Sequence, residues 1–321
     1  MEKTESSQRR FAERGRESRR VLDDLTVIIP TIGRSILQRC LQSIADGNVL
    51  PVCIIVIDQG DNLEVADWLR SIDAIGLETF HLRSTERSPA SARNLGIEQV
   101  QTPFVAAIDD DCVAGKDWLE KMEIRLHQNP TAIVTGRLDP AGDGIPPTIV
   151  TSGVPRLYRR YSVRNLSPLA SANMGFALRT ARDIGPFDGN LFTAEENDWA
   201  YRAFRAGVPI LYAPEIVVYH IHWRDKTQMA AVYRAYEWGQ GVFYGKYLRR
   251  GDWSMLLLTA ISLVRGMRSL IIGVLKNDHG RRAKGYARLT LLLSGLIAGV
   301  RGKGLAQMSL SDRKVSSGSR S

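Results

Sequence analysis

The run Phe104-Val105-Ala106-Ala107-Ile108-Asp109-Asp110-Asp111 decides how the rest of the chain is read. Five apolar residues form a short buried strand, and the strand stops in three consecutive carboxylates. Carboxylates this close raise one another's pKa unless a cation offsets their repulsion, and their oxygens suit Mn²⁺ or Mg²⁺. Toward the N-terminus, Leu25-Thr-Val-Ile-Ile29 and Val52-Cys-Ile-Ile-Val-Ile57 are two more buried-strand runs, closed by Pro30-Thr31 and by Asp58-Gln-Gly-Asp61. Apolar residues recur at helical spacing over 35–45, 63–72, 88–100 and 117–127, and 78–82 reads as a weaker strand. Strand and helix therefore alternate. That rhythm predicts βαβ units, hence an α/β fold with a mostly parallel central sheet flanked by helices. Ligands of such sheets bind beyond the carboxyl ends of the strands, which places Thr31, Asp58 and Asp109 to Asp111 on one rim. The first strand is followed by neither a Gly-x-Gly-x-x-Gly turn nor a phosphate-binding lysine loop, so dinucleotide and P-loop readings are weak.

Farther along, 132–136 reads as a strand, 139–155 as a loop, and 210–213 and 216–219 as two late strands, the second running into His220-Ile-His222. From Lys226 onward the pattern is helical. Glu195-Glu196-Asn197-Asp198 is a second acidic cluster, and acids also suit a helix N-terminus. One of the two histidines is expected to face the rim, where an imidazole can complete a Mn²⁺ shell.

Together these pieces resemble family 2 glycosyltransferases of the GT-A nucleotide-sugar fold. The resemblance rests on Val27-Ile-Ile-Pro-Thr31, Val56-Ile-Asp58-Gln-Gly-Asp61, Ser91-Ala-Arg93-Asn94-Leu-Gly96, Ile108-Asp-Asp-Asp111, Asn173-Met174-Gly175, Ile184-Gly-Pro-Phe-Asp188, Glu195-Glu196-Asn-Asp198-Trp-Ala-Tyr-Arg202 and Tyr219-His220, in that order over roughly 25–223. It implies that Pro30, Thr31, Asp58, Arg93, Asp109 and Asp110 bind the nucleotide sugar. It also implies that Asp109 and Asp111 form the Asp-x-Asp metal motif with His220 as a further ligand, and that Asn173, Met174 and Gly175 lie near the acceptor. Glu196 takes the place of the catalytic base, with Glu195 orienting the acceptor; the family's usual Glu-Asp is here Glu-Glu. The longer arm moves the base by about one bond.

The implied chemistry is an inverting transfer from a nucleotide-diphosphate sugar to a hydroxyl. A metal stabilises the departing diphosphate and a carboxylate takes the hydroxyl proton. Cell-surface glycan or glycolipid synthesis is the expected setting. A sugar nucleotidyltransferase is weakened by the missing Gly-rich loop, and a non-catalytic nucleotide-sugar-binding scaffold by the intact metal and base candidates.

The charge of +9 on 321 residues is unevenly spread. Residues 1–20 carry +3, 21–223 carry −7, and 224–321 carry +13. A nucleic-acid partner explains the total but not the acidic strand ends; an anionic membrane surface explains the placement. Expected organisation is a basic tail over 1–22, the catalytic domain over 23–224, an amphipathic helical, membrane-associating region over 225–310, and a tail over 311–321. Arg265 and Arg268 interrupt the apolar run 254–275, and Arg288 interrupts 286–300; no 18 consecutive residues are apolar, so interfacial helices are expected rather than a span. The aromatics Tyr233, Tyr236, Trp238, Phe243, Tyr244 and Tyr247 are candidates for the acceptor channel or simple packing. The N-terminus lacks a signal-peptide apolar core, and Cys40, Cys53 and Cys112 form no Cys-x-x-Cys, so the expected location is cytoplasmic, peripheral on the inner face of the membrane.

Overall fold

Strand β1 runs from Val21 to Thr31, and its β-branched residues alternate between two cores. Val27 and Ile29 point into one core and Ile28 into the other, as the two-residue period of a strand requires. In this computed structural model, residues 19–142, 144, 146–161, 167–191 and 193–303 are described. Of the two expected tails, residues 1–18 and 311–321 lie outside them.

The strands that follow are β2 (Leu50–Asp58), β3 (Glu78–Arg83), β4 (Phe104–Ile108), β5 (Cys112–Ala114), β6 (Ile133–Ala141), β7 (Arg156–Tyr158), β8 (Asn173–Ala177) and β9 (Ile210–Ile221). They form one sheet in the order β3-β2-β1-β4-β8-β6-β9-β5, with β7 on β9. The β3-β2-β1-β4 half is parallel, as is β6 with β9. β8 enters antiparallel between β4 and β6. Chain order reverses at β1, between β2 and β4, so the crevice beyond Thr31 and Ile108 is the natural ligand site of the sheet.

Helices α1 (Leu37–Ala45), α2 (Glu64–Asp73) and α4 (Trp118–Gln128) cover one face, through residues such as Leu41, Leu69 and Met122. Helices α3 (Pro89–Gln99), α5 (Leu178–Ile184) and α6 (Glu195–Arg205) cover the other, through Ala92, Ala181 and Trp199. Ser88 caps α3 by accepting the Ser91 amide, and Pro89 fits its first turn, where an N–H would have no helical partner.

Two expectations change. The two late strands are one, β9. Its register on β6 jumps from Gly136–Ala213 to Arg137–Val217, so Pro214, which cannot donate to a ladder, falls in a bulge instead of ending the strand. The expected loop begins later, because β6 continues to Ala141, and Val150 returns to pair with Leu138.

Three long helices complete the chain: α7 (Lys226–Arg249), α8 (Ser254–Leu275) and α9 (His279–Val300). Asp225 and Gln228 form a capping box at the start of α7, and Asp278 accepts the Arg281 amide at the start of α9. Helices α7 and α9 touch backbone to backbone. A Cβ at Gly241 or Gly245 would strike the α9 backbone, and one at Gly295 or Gly299 would strike that of α7. Both pairs have the four-residue spacing that places two small residues on one helix face. Phe243, Tyr244 and Tyr247 are buried with Tyr201 of α6, which joins this unit to the rest of the fold; Trp238 packs with Leu191 and Val242. The outer face of α8 and α9 remains apolar and exposed, with Leu257 59%, Val264 67%, Leu275 79% and Tyr286 64% accessible. Among the described residues one helix, Ser254–Leu275, is long and apolar enough to cross a membrane, with mean hydropathy 1.7.

Candidate active site

The triplet follows β4 directly, and β5 follows the triplet. β5 pairs antiparallel with β9 at Cys112–His220, and the Ile221 amide donates to the Asp111 carbonyl at 2.9 Å. That register is why a histidine more than 100 residues away reaches the acidic run. His220 Nε2 lies 3.4 Å from Asp111 Oδ1, while its Nδ1–H donates to the Thr148 carbonyl at 2.9 Å. The backbone bond orients the ring and turns Nε2 toward the carboxylate.

Each carboxylate of the triplet has its own cationic partner. Asp109, the most open, accepts Arg93 Nη2 at 2.9 Å. Asp110 accepts Thr31 Oγ1 at 2.6 Å and also pairs with Arg34. Asp111 accepts Trp223 Nε1 at 2.8 Å and faces Arg224 at 3.6 Å and Arg34 at 3.8 Å. Burial opposes ionisation of Asp111, but His220, Arg34 and Arg224 hold its pKa well below the usual carboxylate range. Burial dominates at Asp110 and raises it despite Arg34. For His220, burial works against protonation, yet the Asp111 hydrogen bond and charge outweigh it and raise the pKa.

Asp111, Cys112 and His220 place their ligand atoms within 4.8 Å of one another. Burial pushes the Cys112 thiol well above its ordinary value, so it stays neutral and is a poor ligand. The donors left in this group are the Asp111 carboxylate and the His220 imidazole, donor types that suit Mn²⁺ or Mg²⁺, with Asp109 on the same rim.

The second acidic cluster opens α6. Ala194, just before it, has φ 66°, a left-handed conformation that turns the chain sharply into the helix. Glu195 Oε1 accepts Arg93 Nη1 at 2.9 Å, so one buried guanidinium ties Asp109 to Glu195. Burial, and then the Glu196 charge, raise Glu195 well above the usual range; burial also raises Glu196, less far. The two carboxyls influence each other directly, and Glu196 is the more exposed. Asn197 borders the same cavity as Glu195 and Glu196, whereas Asp198 does not. Asn197 joins Gln240 and Ser167 at 2.8 Å, and Asp198, fully buried, accepts Arg202 and the Tyr247 hydroxyl at 2.9 Å and pairs with Lys246.

Pro30, Thr31, Arg93, Asp109, Asp110, Asp111, Glu195, Glu196 and His220 line one cavity of about 570 Å³, together with residues of α7, α8 and α9. Four predicted residues sit elsewhere. Asp58 closes the turn after β2, accepting the Gly60 amide at 2.8 Å, Arg83 at 2.7 Å and His81 at 3.1 Å; its neighbour Gln59 lines the cavity. Asn173, Met174 and Gly175 lie inside the sheet on β8. The Asn173 amide is spent on Trp118 Nε1 and the Arg137 and Ile216 carbonyls, and the segment before it, Ala170 to Ala172, lines the cavity instead. Sequence reasoning missed Arg34, Trp223 and Arg224. Both guanidiniums stack on the Trp223 ring, at 4.5 and 4.1 Å. Their signal was adjacency: Arg34 follows Thr31 by three residues, and Trp223-Arg224 follows the paired histidines. His222 lies past the end of β9, which leaves His220 as the histidine at the rim.

Residues 26–180 match the family model described as glycosyl transferase family 2. The chain is 28% identical over 218 residues to the pre-mycofactocin glycosyltransferase of Mycobacterium tuberculosis, covering 64% of this chain and 44% of that protein. It is 23% identical over 205 residues to glycosyltransferase AglE of Haloferax volcanii, covering 61% of this chain and 66% of that one. It thus spans less than two thirds of either curated relative. Among solved structures, S. aureus TarS 1–349 in complex with UDP-GlcNAc aligns over 87% of this chain and 92% of its own, with TM-score 0.53 at 12% identity. GalNAc-T7 with UDP, GalNAc and Mn²⁺ aligns over 71% and 51%, with TM-score 0.52 at 16% identity. These similarities establish a common fold.

Proposed function

We propose that this chain, whose residues 26–180 match the family model described as glycosyl transferase family 2, transfers a sugar from a nucleotide-diphosphate sugar to an acceptor hydroxyl with inversion. The observation that carries the proposal is Arg93, which holds the Asp-x-Asp carboxylate Asp109 and the carboxyl pair at α6 in one cavity. Asp109, Asp111 and His220 would hold a divalent cation, whose charge stabilises the diphosphate as it leaves. Arg34 and Arg224, stacked on Trp223, stand where they can meet diphosphate oxygens once the cation takes over their carboxylates.

Glu196 accepts the proton of the acceptor hydroxyl as that oxygen bonds to the anomeric carbon and the carbon–phosphate oxygen bond breaks on the opposite side. Glu195, fixed by Arg93, stands beside Glu196 and orients it. Pro30 and Thr31 border the nucleotide end, and Asp58 supports it by shaping the turn after β2.

The exposed apolar face of α8 and α9, flanked by Arg268, Lys276 and Arg281, supports peripheral attachment to an anionic membrane surface on the cytoplasmic side, with a glycan or lipid-linked acceptor for a cell-surface glycan or glycolipid. The body over 23–224 then carries the chemistry and 225–310 the attachment.

Thermal-shift measurements with a panel of nucleotide sugars, with and without Mn²⁺, test the donor reading. A true donor raises Tm only with the metal present, and Glu196→Gln keeps that shift while losing turnover. A Glu196→Gln variant with full turnover would remove Glu196 as the base.

A further inference from the structure

The junction His222-Trp223-Arg224-Asp225 links the end of β9 at Ile221 to the start of α7 at Lys226. Both of its ends are fixed. The Ile221 amide donates to the Asp111 carbonyl, and Asp225 forms the capping box with Gln228. Trp223 is not among the residues that line the cavity, whereas Arg34, Asp111, His220 and Arg224 around it are. What Trp223 does for the site it therefore does through these neighbours.

Its indole makes two kinds of contact. At the ring edge, Nε1 donates to Asp111 Oδ2 at 2.8 Å. The other oxygen, Oδ1, lies 3.4 Å from His220 Nε2. An aspartate carboxylate turns easily about its last torsion, so a bond to one oxygen is what fixes where the other points. With Oδ2 pinned by Trp223, Oδ1 is presented beside the imidazole, which the Thr148 carbonyl aims in the same way. Over the ring, the guanidinium carbons of Arg34 and Arg224 lie 4.5 and 4.1 Å from the centroid. An aromatic face holds a guanidinium by its plane and leaves the N–H edge to meet anions. Arg34 and Arg224 approach Asp111 at 3.8 and 3.6 Å, yet the buried Nε of each has no acceptor among the described residues. A buried N–H without an acceptor is costly, so both side chains keep capacity for an incoming anion.

We infer that Trp223 is a positioning residue for both halves of the donor site: its N–H sets the Asp111 carboxylate for a divalent cation, and its ring sets Arg34 and Arg224 for the diphosphate. The inference rests on the transferase reading for the word donor. The two halves use different parts of one indole and can be removed separately. Trp223→Phe keeps an aromatic face and removes the N–H. Trp223→Leu removes both.

The test uses the full chain and two probes. Mn²⁺ alone is titrated and the free ion read by its EPR signal, and UDP and GDP are titrated calorimetrically with each variant saturated in Mn²⁺. Trp223→Phe is expected to weaken Mn²⁺ about tenfold or more while nucleotide affinity stays within about threefold. Trp223→Leu is expected to weaken the nucleotide about tenfold as well. Arg34→Gln is expected to weaken the nucleotide about tenfold and to leave Mn²⁺ binding no weaker, which keeps the inference falsifiable should the leucine variant not fold. A purely structural role would lower Tm and weaken both probes together in the phenylalanine and leucine variants alike. That result, unchanged Mn²⁺ affinity in Trp223→Phe, or unchanged nucleotide affinity in Arg34→Gln overturns the inference. So does an unmodified chain that takes up no Mn²⁺. If Mn²⁺ binds and Trp223→Phe weakens it but neither nucleotide binds, the donor reading falls and the setting of Asp111 by Trp223 stands.

Discussion

Two acidic runs border the same cleft and are neutralised in different ways. Asp109 to Asp111 leave a strand end, and all three stay at the rim, each against a guanidinium, of Arg93, Arg34 and Arg224 in turn. Glu195 to Asp198 open a helix, and helical geometry divides them: Glu195 and Glu196 face the cleft, while Asp198 turns toward Arg202, Lys246 and Tyr247. An extended exit concentrates charge in one place, whereas about 100° per residue distributes it between two jobs. The first run should therefore respond to mutation as one unit, and the second as two.

The strongest test of that division is Glu196→Gln, which should cost up to about 10⁴-fold in turnover with no loss of Tm, because burial already disfavours its charge. Donor binding by thermal shift and steady-state turnover on the same preparation read both quantities. Turnover by the unmodified chain should show an acid limb above the ordinary glutamate range, since Glu196 must be ionised to accept a proton and its pKa is raised. A pH–rate profile with no acid limb, or one at the value of free glutamate, would count against Glu196.

Asp111→Asn should lower turnover by about 10³-fold, and chelation of metal should do the same to the unmodified chain, reversed by added Mn²⁺. If Asp111→Asn loses stability instead and keeps its metal dependence, the triplet is an ion-pair network and not a metal motif. Asp198→Asn, in the other half of the second run, should cost about 2 to 3 kcal/mol of stability by leaving Lys246 and Arg202 without their shared carboxylate. Denaturant unfolding reads this, and turnover per folded molecule should stay near that of the unmodified chain. The smallest effect is expected from Tyr247→Phe, which removes one hydroxyl donor to Asp198 and about 1 kcal/mol, again without a catalytic loss.

How legible each region was follows from how local its causes are. β1, β2 and β4 could be read directly, because parallel strands buried on both faces are continuous apolar runs. β8 could not. Asn173-Met-Gly-Phe-Ala177 contains no β-branched residue, and it is a strand because β4 and β6 pair with it on either side. The same holds in the site. Asp109, Asp111, Glu196 and His220 stood out by residue type and position, whereas the three residues from Asn173 to Gly175 are held within the sheet and do not reach the cavity. The Arg34–Trp223–Arg224 stack gave no signal beyond adjacency to other site residues, since its members are up to 190 residues apart.

The basic C-terminal stretch shows the same limit from the other side. Its charge and apolar runs were plain, whereas the paired glycines four residues apart in α7 and α9 gained their meaning only from the backbone contact between the two helices. What the residues alone left open was direction: Arg265, Lys284 and Arg288 turn into the cleft, while the apolar residues of the same helices face outward. The amino-acid sequence by itself determined the α/β alternation, the rim on which the acids gather and the helical character of residues 226–300, because these depend on periodicity and on the residues next in line. Only the tertiary structure decided which carboxylate meets which cation and which side of a helix lines the cavity. Those choices depend on distances across the fold, and charge interactions fall off with distance in space, not along the chain.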